Sequence, residues 1–318
     1  MKIAIIGAGA VGGFYGALLS RAGFDVTFVA RGKHLEAMNT SGLHVHSSQD
    51  QFTINGKFTS DFKELETADL LFFTVKSTET EETAKKLRPF LKEDAGILTL
   101  QNGVDNEETL VNILGANRIV SGLTYISAII DKPGVIYSAH PLQTIIFGAP
   151  SKASMHHVPT FANALTEANI DYQISESIIV KKWEKLLWNA TFNPLSAASL
   201  ATVGDILDDR PLRKTAEAVL SEVLTIADRL EIHLQRDWVY QIFSASEIAR
   251  NHKTSMLQDR EKGKVMEVES LCGYFIRKGH ELGVRTPTIE TIYSILSSIN
   301  KQTLGSTHQS LSHSTNSS

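Results

Sequence analysis

The first βαβ unit of this chain admits few folds. Residues 3–6 (Ile-Ala-Ile-Ile) form an apolar run without polar alternation, the pattern of a strand buried on both faces of a parallel sheet. Gly7-Ala8-Gly9-Ala10-Val11-Gly12 follows at once, then a helical stretch to Arg21, a turn at Ala22-Gly23 and a second strand over residues 25–29. A G-x-G-x-x-G pattern is weak alone, but between a strand and a helix inside a whole βαβ unit it predicts a dinucleotide-binding turn. The first glycine permits the tight turn, the second lets backbone approach a pyrophosphate, and the third lets helix pack on strand. The anion then lies at the helix N-terminus, where N–H groups without intrahelical partners and the macrodipole favour negative charge.

Met1-Lys2 and the small apolar residues after it also have the outline of a secretory signal. Glycines at 7, 9, 12, 13 and 16 argue against that reading, since each costs about 1 kcal/mol relative to Ala in a helix. No other stretch approaches about twenty uninterrupted apolar residues. The expectation is a mature, soluble, cytoplasmic chain with no membrane partner. A length of 318 residues predicts two domains. With 31 Lys and Arg against 35 Asp and Glu, net charge is −4, which offers no broad basic face to nucleic acid. Cys272 is the sole cysteine, excluding an intrachain disulfide and fitting a reducing compartment.

Strand and helix signals keep alternating along the first half. Residues 69–76 and 96–100 read as strands, 78–91 as a helix, and 105–114 as a helix capped by Asp105. Three strands follow over 121–130, 135–138 and 144–147, separated by Pro133-Gly134 and His140-Pro141 turns. A helix over 158–168 and a strand over 171–174 complete this half. From residue 178 to 300 helical periodicity prevails, broken at Asn193-Pro194, Arg210-Pro211, Gly263 and Gly283. The predicted architecture is α/β: an N-terminal Rossmann-type doubly wound domain (1–174), a C-terminal all-α domain (175–302) and a disordered tail (303–318) rich in Ser, Thr and His. The cleft between domains is the expected site.

The second strand ends Val29-Ala30-Arg31-Gly32-Lys33. An NAD-selective site places an acid there for the ribose 2′-hydroxyl; Arg31 and Lys33 instead suit a 2′-phosphate, so NADP(H) is the expected cofactor. Farther on, Lys185, Asn189 and Asn193 stand four residues apart, each turned by about 40° from the last on a helix. One ammonium and two carboxamides thus share a stripe beside Trp183, Leu187 and Phe192. Spacing alone equally suits a solvated helix face. Residues 254–269 form a second concentration, with Ser255 and Gln258 as a capping box and Glu267 in the opening turn of the next helix. Gln101-Asn102-Gly103 ends the strand over 96–100, where ligands bind in open α/β sheets, though it also reads as an ordinary Asn-Gly turn.

Taken together, the glycine motif, Lys76 after a buried strand, Gln101-Asn102-Gly103, Trp183-x-Lys185 with Asn189 and Asn193-Pro194-Leu195, and Ser255-Met256-Leu257-Gln258-Asp259 with Glu267 resemble the ketopantoate reductase (2-dehydropantoate 2-reductase) family over residues 1–300. The resemblance implies NADPH-dependent reduction of a small 2-keto acid, 2-dehydropantoate, to D-pantoate in pantothenate and coenzyme A synthesis. Lys185 and Glu267 would be the central catalytic pair, with Asn102 beside the nicotinamide and the Lys. Asn189, Asn193 and Ser255 would hold substrate. Gly7, Ala8, Gly9, Ala10, Val11, Gly12, Arg31 and Lys76 would hold the cofactor, with Asn102 and Glu267 also in reach of it. Where the family continues Ile-Asp and then Asn-Gly after the catalytic Glu, this chain has Val268-Glu269 and Cys272-Gly273. It carries His252 where the family often has Asn.

Two other readings remain. One is a related reductase making a branched or aromatic D-2-hydroxy acid with the same site; the other is a non-enzymatic NADP-binding sensor in which the stripe is idle. A homodimer is left open. His44-x-His46 and His156-His157 have no third ligand at a recognisable spacing, so no metal is expected. Cys272 is expected in the core or at the site wall, not as a nucleophile.

Overall fold

The computed structural model describes residues 1–47, 50–138, 143–234 and 237–314. The His140-Pro141 turn lies outside them. Two compact units result, 1–182 and 183–318.

In chain order the first unit contains β1 (Lys2–Ile6), α1 (Ala10–Arg21), β2 (Asp25–Val29), α2 (Gly32–Ser41), β3 (Leu43–Ser47), β4 (Gln51–Ile54), β5 (Lys57–Thr59), β6 (Leu70–Phe73), α3 (Thr80–Leu87), β7 (Gly96–Thr99) and α4 (Asn106–Leu114). It continues with β8 (Ile119–Thr124), β9 (Ala128–Lys132), β10 (Val135–Ser138), β11 (Ile145–Gly148), α5 (Val158–Glu167), β12 (Tyr172–Ile174) and the start of α6 (Ile178–Ser199). The main sheet has the order β12-β11-β8-β7-β6-β1-β2-β5. It is parallel except where β11 runs antiparallel to β8. β1 lies between β2 and β6, so strand order reverses there and the turns after β1 and β6 open at one switch point.

The apolar runs reflect burial on both faces. Ile3, Ile5, Leu70, Phe72, Leu98 and Val120 pack into one core, while Ala4, Ile6, Leu71, Phe73, Ile97 and Ile119 pack into the other. Each such large side chain contributes roughly 1.5–3 kcal/mol. Phe72 meets Phe161 of α5 edge-on at 5.5 Å.

A second sheet, β4-β3-β10-β9, was not expected. Its signal is the alternation Leu43-His44-Val45-His46: Leu43 and Val45 are buried, and His44 Nδ1 lies 2.8 Å from Thr53 Oγ1 across the antiparallel pair. Among the described residues no three His, Cys, Asp or Glu side chains are grouped as metal ligands would be. The sheet supports α1, since a Cβ on Gly13 would overlap Ile136 Cδ1.

Within the second unit, α6 continues to Ser199, followed by α7 (Val203–Asp208), α8 (Arg210–Arg229), α9 (Trp238–Ser246), α10 (Ser255–Glu261), α11 (Tyr274–Leu282) and α12 (Pro287–Ser314). Thr202 and Asp205 cap α7 reciprocally, and Asp209 caps α8 through Leu212 N–H at 2.8 Å. The Glu222 carboxylate accepts from Thr288 and Ile289 N–H at 2.9 and 3.0 Å, so α8 caps α12. Trp183 packs edge-on against Phe275 at 5.9 Å. No helix among the described residues is long and apolar enough to cross a membrane.

Against the expected boundary at 174/175, the compact units divide after Lys182, inside α6, where Lys182 ion-pairs with Glu107 of the first unit. Within the segment 303–318 expected as a disordered tail, α12 extends to Ser314. Residues 315–318 lie outside the described set. Asp105 takes the N-cap position of α4 in αR backbone, and its side chain makes no cap bond.

Candidate active site

The nucleotide loop sits at the switch point. Gly7 has φ +93°, and a Cβ there would lie 2.8 Å from Val75 backbone N. A Cβ on Gly12 would overlap Thr74 Oγ1, which donates to the Gly7 carbonyl at 2.8 Å. A Cβ on Gly9 would meet no protein atom within 4 Å. The loop is therefore pinned at Gly7 and Gly12 and open at Gly9. Ala8 N–H donates to Val29 O at 2.8 Å, and the first helical bond of α1 runs from Gly13 N–H to Gly9 O at 2.8 Å. The N–H groups of Ala10, Val11 and Gly12 precede that bond, as an anion at a helix N-terminus requires. These residues fit a dinucleotide pyrophosphate.

Arg31 precedes α2 in extended backbone, with its side chain 79% exposed and ion-paired to Glu79. Glu79 closes a short 3-10 turn, Ser77–Glu79, that Lys76 precedes. The segments carrying Arg31 and Lys76 thus meet at the ends of β2 and β6. No acidic side chain occupies the end of β2 itself.

Asn102 follows β7 and is exposed, and a buried polar network fixes its backbone. Asn106 Nδ2 donates to the Asn102 carbonyl at 2.8 Å, Thr80 Oγ1 donates to Asn106 Oδ1 at 2.7 Å, and Gln101 Nε2 donates to Val75 O and Thr80 Oγ1 at 2.9 and 2.7 Å. Lys182 Nζ ion-pairs with Glu107 Oε1 and lies 3.3 Å from the Gln101 carbonyl. Ser121 Oγ donates to the same Glu107 oxygen at 2.6 Å. Glu79, Thr74, His34, Glu107 and Lys182 escaped the sequence reading. For Lys182 a signal existed: it lies four residues from both Ile178 and Leu186, on the apolar stripe of α6 where a charge needs a partner.

In the second unit, Lys185 is half-buried, and Asn189 and Asn193 are 8% and 3% exposed. Buried Asn193 Oδ1 has no hydrogen-bond partner among the described atoms. The next residue, Pro194, lies inside the helix without an N–H, which leaves the carbonyl four residues earlier without its helical donor.

The cap of α10 is one residue earlier than expected. Thr254 is extended and its Oγ1 accepts from Leu257 N–H at 3.2 Å; Ser255 is already helical and exposed, and Gln258 Nε2 turns to the Lys253 carbonyl at 2.9 Å. Glu267 also lies outside its expected turn. It precedes a π-helical turn, Glu269–Gly273, that leads into α11. Asn300 clamps both backbone groups of neighbouring Met266 at 3.0 Å, which fixes the chain entering Glu267. Cys272 is buried in the π turn; burial, with Glu269 adding to it, pushes its thiol pKa far up.

A family model described as ketopantoate reductase PanE/ApbA matches residues 3–152, and one described as its C-terminal part matches 177–300. A relative named 2-dehydropantoate 2-reductase from Archaeoglobus fulgidus is 33% identical, covering 93% of this chain and 96% of the relative. One of the same name from Pyrococcus horikoshii is 30% identical, covering 96% and 99%. The crystal structure of a PanE/ApbA family ketopantoate reductase from Ralstonia eutropha matches with a TM-score of 0.89 at 29% identity, covering 96% of this chain and 100% of that one. D-mandelate dehydrogenase, solved with NADH and anilino(oxo)acetate, shares the fold with a TM-score of 0.87 at 21% identity, covering 95% and 99%.

Proposed function

The chain belongs to the ketopantoate reductase family, and on that premise we propose that it reduces 2-dehydropantoate to D-pantoate with NADPH, the keto-acid step of pantothenate and coenzyme A synthesis. The family makes it an oxidoreductase acting on a small 2-keto acid with a nicotinamide cofactor. The finer reading rests on one observation, the buried Asn193 Oδ1 without a partner. Such an acceptor calls for a hydrogen-bond donor, and 2-dehydropantoate carries a hydroxyl that can serve and that 2-ketoisovalerate and phenylglyoxylate lack. An unpaired buried acceptor costs about 1–3 kcal/mol, enough for roughly 5- to 150-fold discrimination.

When bound, the cofactor supplies a hydride to the keto carbon. Lys185 Nζ then stabilises the oxygen on which charge grows and delivers its proton. Glu267 orients Lys185 or accepts a hydrogen bond from the emerging hydroxyl. Ser255 and Asn189 donate to the substrate carboxylate, and Arg31 and Lys76 offset the 2′-phosphate charge.

The test is NADPH consumption by purified protein with 2-dehydropantoate, 2-ketoisovalerate and phenylglyoxylate, with NADH as control. The expected result is the highest kcat/KM for 2-dehydropantoate with NADPH. A higher value for either other acid refutes the substrate, comparable use of NADH refutes the role of Arg31, and no turnover with any acid favours a nucleotide sensor.

A further inference from the structure

Gly7 and Gly9 flank Ala8, so local sterics restrain the Ala8–Gly9 peptide weakly, and within the loop its N–H is held by Gly7 O at 2.7 Å. A side chain from α2 holds its other side. His34 Nδ1 accepts the N–H of Gly134 at 3.0 Å, and its Nε2 lies 3.0 Å from the Ala8 carbonyl. Because Nδ1 is an acceptor, the proton is on Nε2, which donates to Ala8 O; the hydrogen-bond network sets this tautomer. Burial, partly opposed by the Ala8 hydrogen bond, holds the imidazole below the usual histidine range and so favours this neutral form.

The far anchor is itself fixed. Gly134 lies in the turn between β9 and β10, its φ is +77°, and its carbonyl accepts from His44 N–H at 2.9 Å. The ring therefore connects the second sheet to the nucleotide loop. In a trans peptide the C=O and N–H point opposite ways, so holding Ala8 O fixes the plane that leads into the N-terminus of α1.

We infer that His34 is a positioning residue for the dinucleotide pyrophosphate: the contact of its Nε2–H with Ala8 O, braced by Gly134, holds the glycine loop ready to bind. The inference rests on the nicotinamide-cofactor reading and is independent of which keto acid is reduced. Because the pyrophosphate is common to both dinucleotides, loss of the strut weakens NADPH and NADH by the same factor, unlike loss of a 2′-phosphate contact.

The test compares wild type, His34→Phe and His34→Gln by fluorescence titration with NADPH and NADH, with a thermal melt of each protein. Phe keeps a ring and loses both hydrogen bonds; Gln carries an amide N–H to about the position of Nε2. The expected result is about tenfold weaker binding of both dinucleotides by H34F, restoration to within about threefold by H34Q, and a keto-acid kcat at saturating NADPH within about twofold of wild type. H34F that binds as tightly as wild type overturns the inference. So does a loss that H34Q fails to restore, or one confined to NADPH. Wild type that binds both dinucleotides but reduces no keto acid sinks the substrate reading and leaves this inference standing. Wild type that binds neither overturns it.

Discussion

Replacing Lys182 with methionine isolates the buried ion pair at the root of α6. The substitution keeps most of the side-chain volume and removes the ammonium facing Glu107 and the Gln101 carbonyl. Glu107 is 6% exposed and its Oε2 has no partner, so Ser121 Oγ at 2.6 Å is the remaining donor to its carboxylate among the described contacts. Removing one member of a buried pair costs about 3–5 kcal/mol. For a unit of this size each kcal/mol shifts the midpoint by roughly 2–4 °C. K182M is therefore expected to melt about 6–20 °C lower. Glu107→Leu strands the ammonium instead and costs a similar amount. The double substitution leaves no buried charge, only the Ser121 hydroxyl and the Gln101 carbonyl to re-pair, so it returns to within about 3 kcal/mol of the parent. Scanning calorimetry of the full-length chain reads these shifts, compared as midpoints because two units need not unfold as one transition. A K182M midpoint within about 2 °C of the parent, or single effects that simply add in the double variant, would refute the dependence of each charge on the other.

Lys185→Ala should lower kcat by about 10²- to 10⁴-fold while the NADPH Kd, read by fluorescence, changes less than about threefold; full activity would remove Lys185 from the chemistry. Arg31→Ala should raise the NADPH Kd about tenfold and leave that for NADH unchanged, and equal loss for both would show that Arg31 does not touch the 2′-phosphate. The Cys272 thiol, buried and pushed far up in pKa, should stay protonated at pH 8 and react with a colorimetric disulfide reagent only after unfolding. Rapid reaction in the native protein would place it at the surface.

Periodicity and glycine sterics act within a few residues, so the elements they govern were legible. The strand β10 fell on 135–138 as expected, and the apolar runs of β1, β6 and β7 identified a sheet buried on both faces. Hydrogen-bond detail at helix ends was less legible. Thr254, Ser255 and Gln258 offer two cap registers, and the extended backbone at Thr254 selects one. The π turn at Glu269–Gly273 was invisible, because Glu267 occupies the same sequence position whether a helix opens before or after it. Arg31, Lys76, Asn102, Lys185, Asn189, Asn193, Ser255 and Glu267 were named from motif, charge and the family resemblance, and the variants above test the roles of Arg31 and Lys185.

The glycine-rich βαβ turn, the change from alternating strands and helices to helices alone, and the absence of an acid at the end of β2 were legible before any fold was known. Each depends on neighbouring residues: where Cβ atoms are missing, where apolar side chains recur, where charge sits along one segment. Which buried polar groups find partners depends on the packed fold. Lys182 meets Glu107 from 75 residues away, and His34 reaches Gly134 across 100. A buried charge or an unsatisfied carbonyl must be paired somewhere in a close-packed interior, but that requirement specifies no sequence distance, so the packed sheets choose the partner.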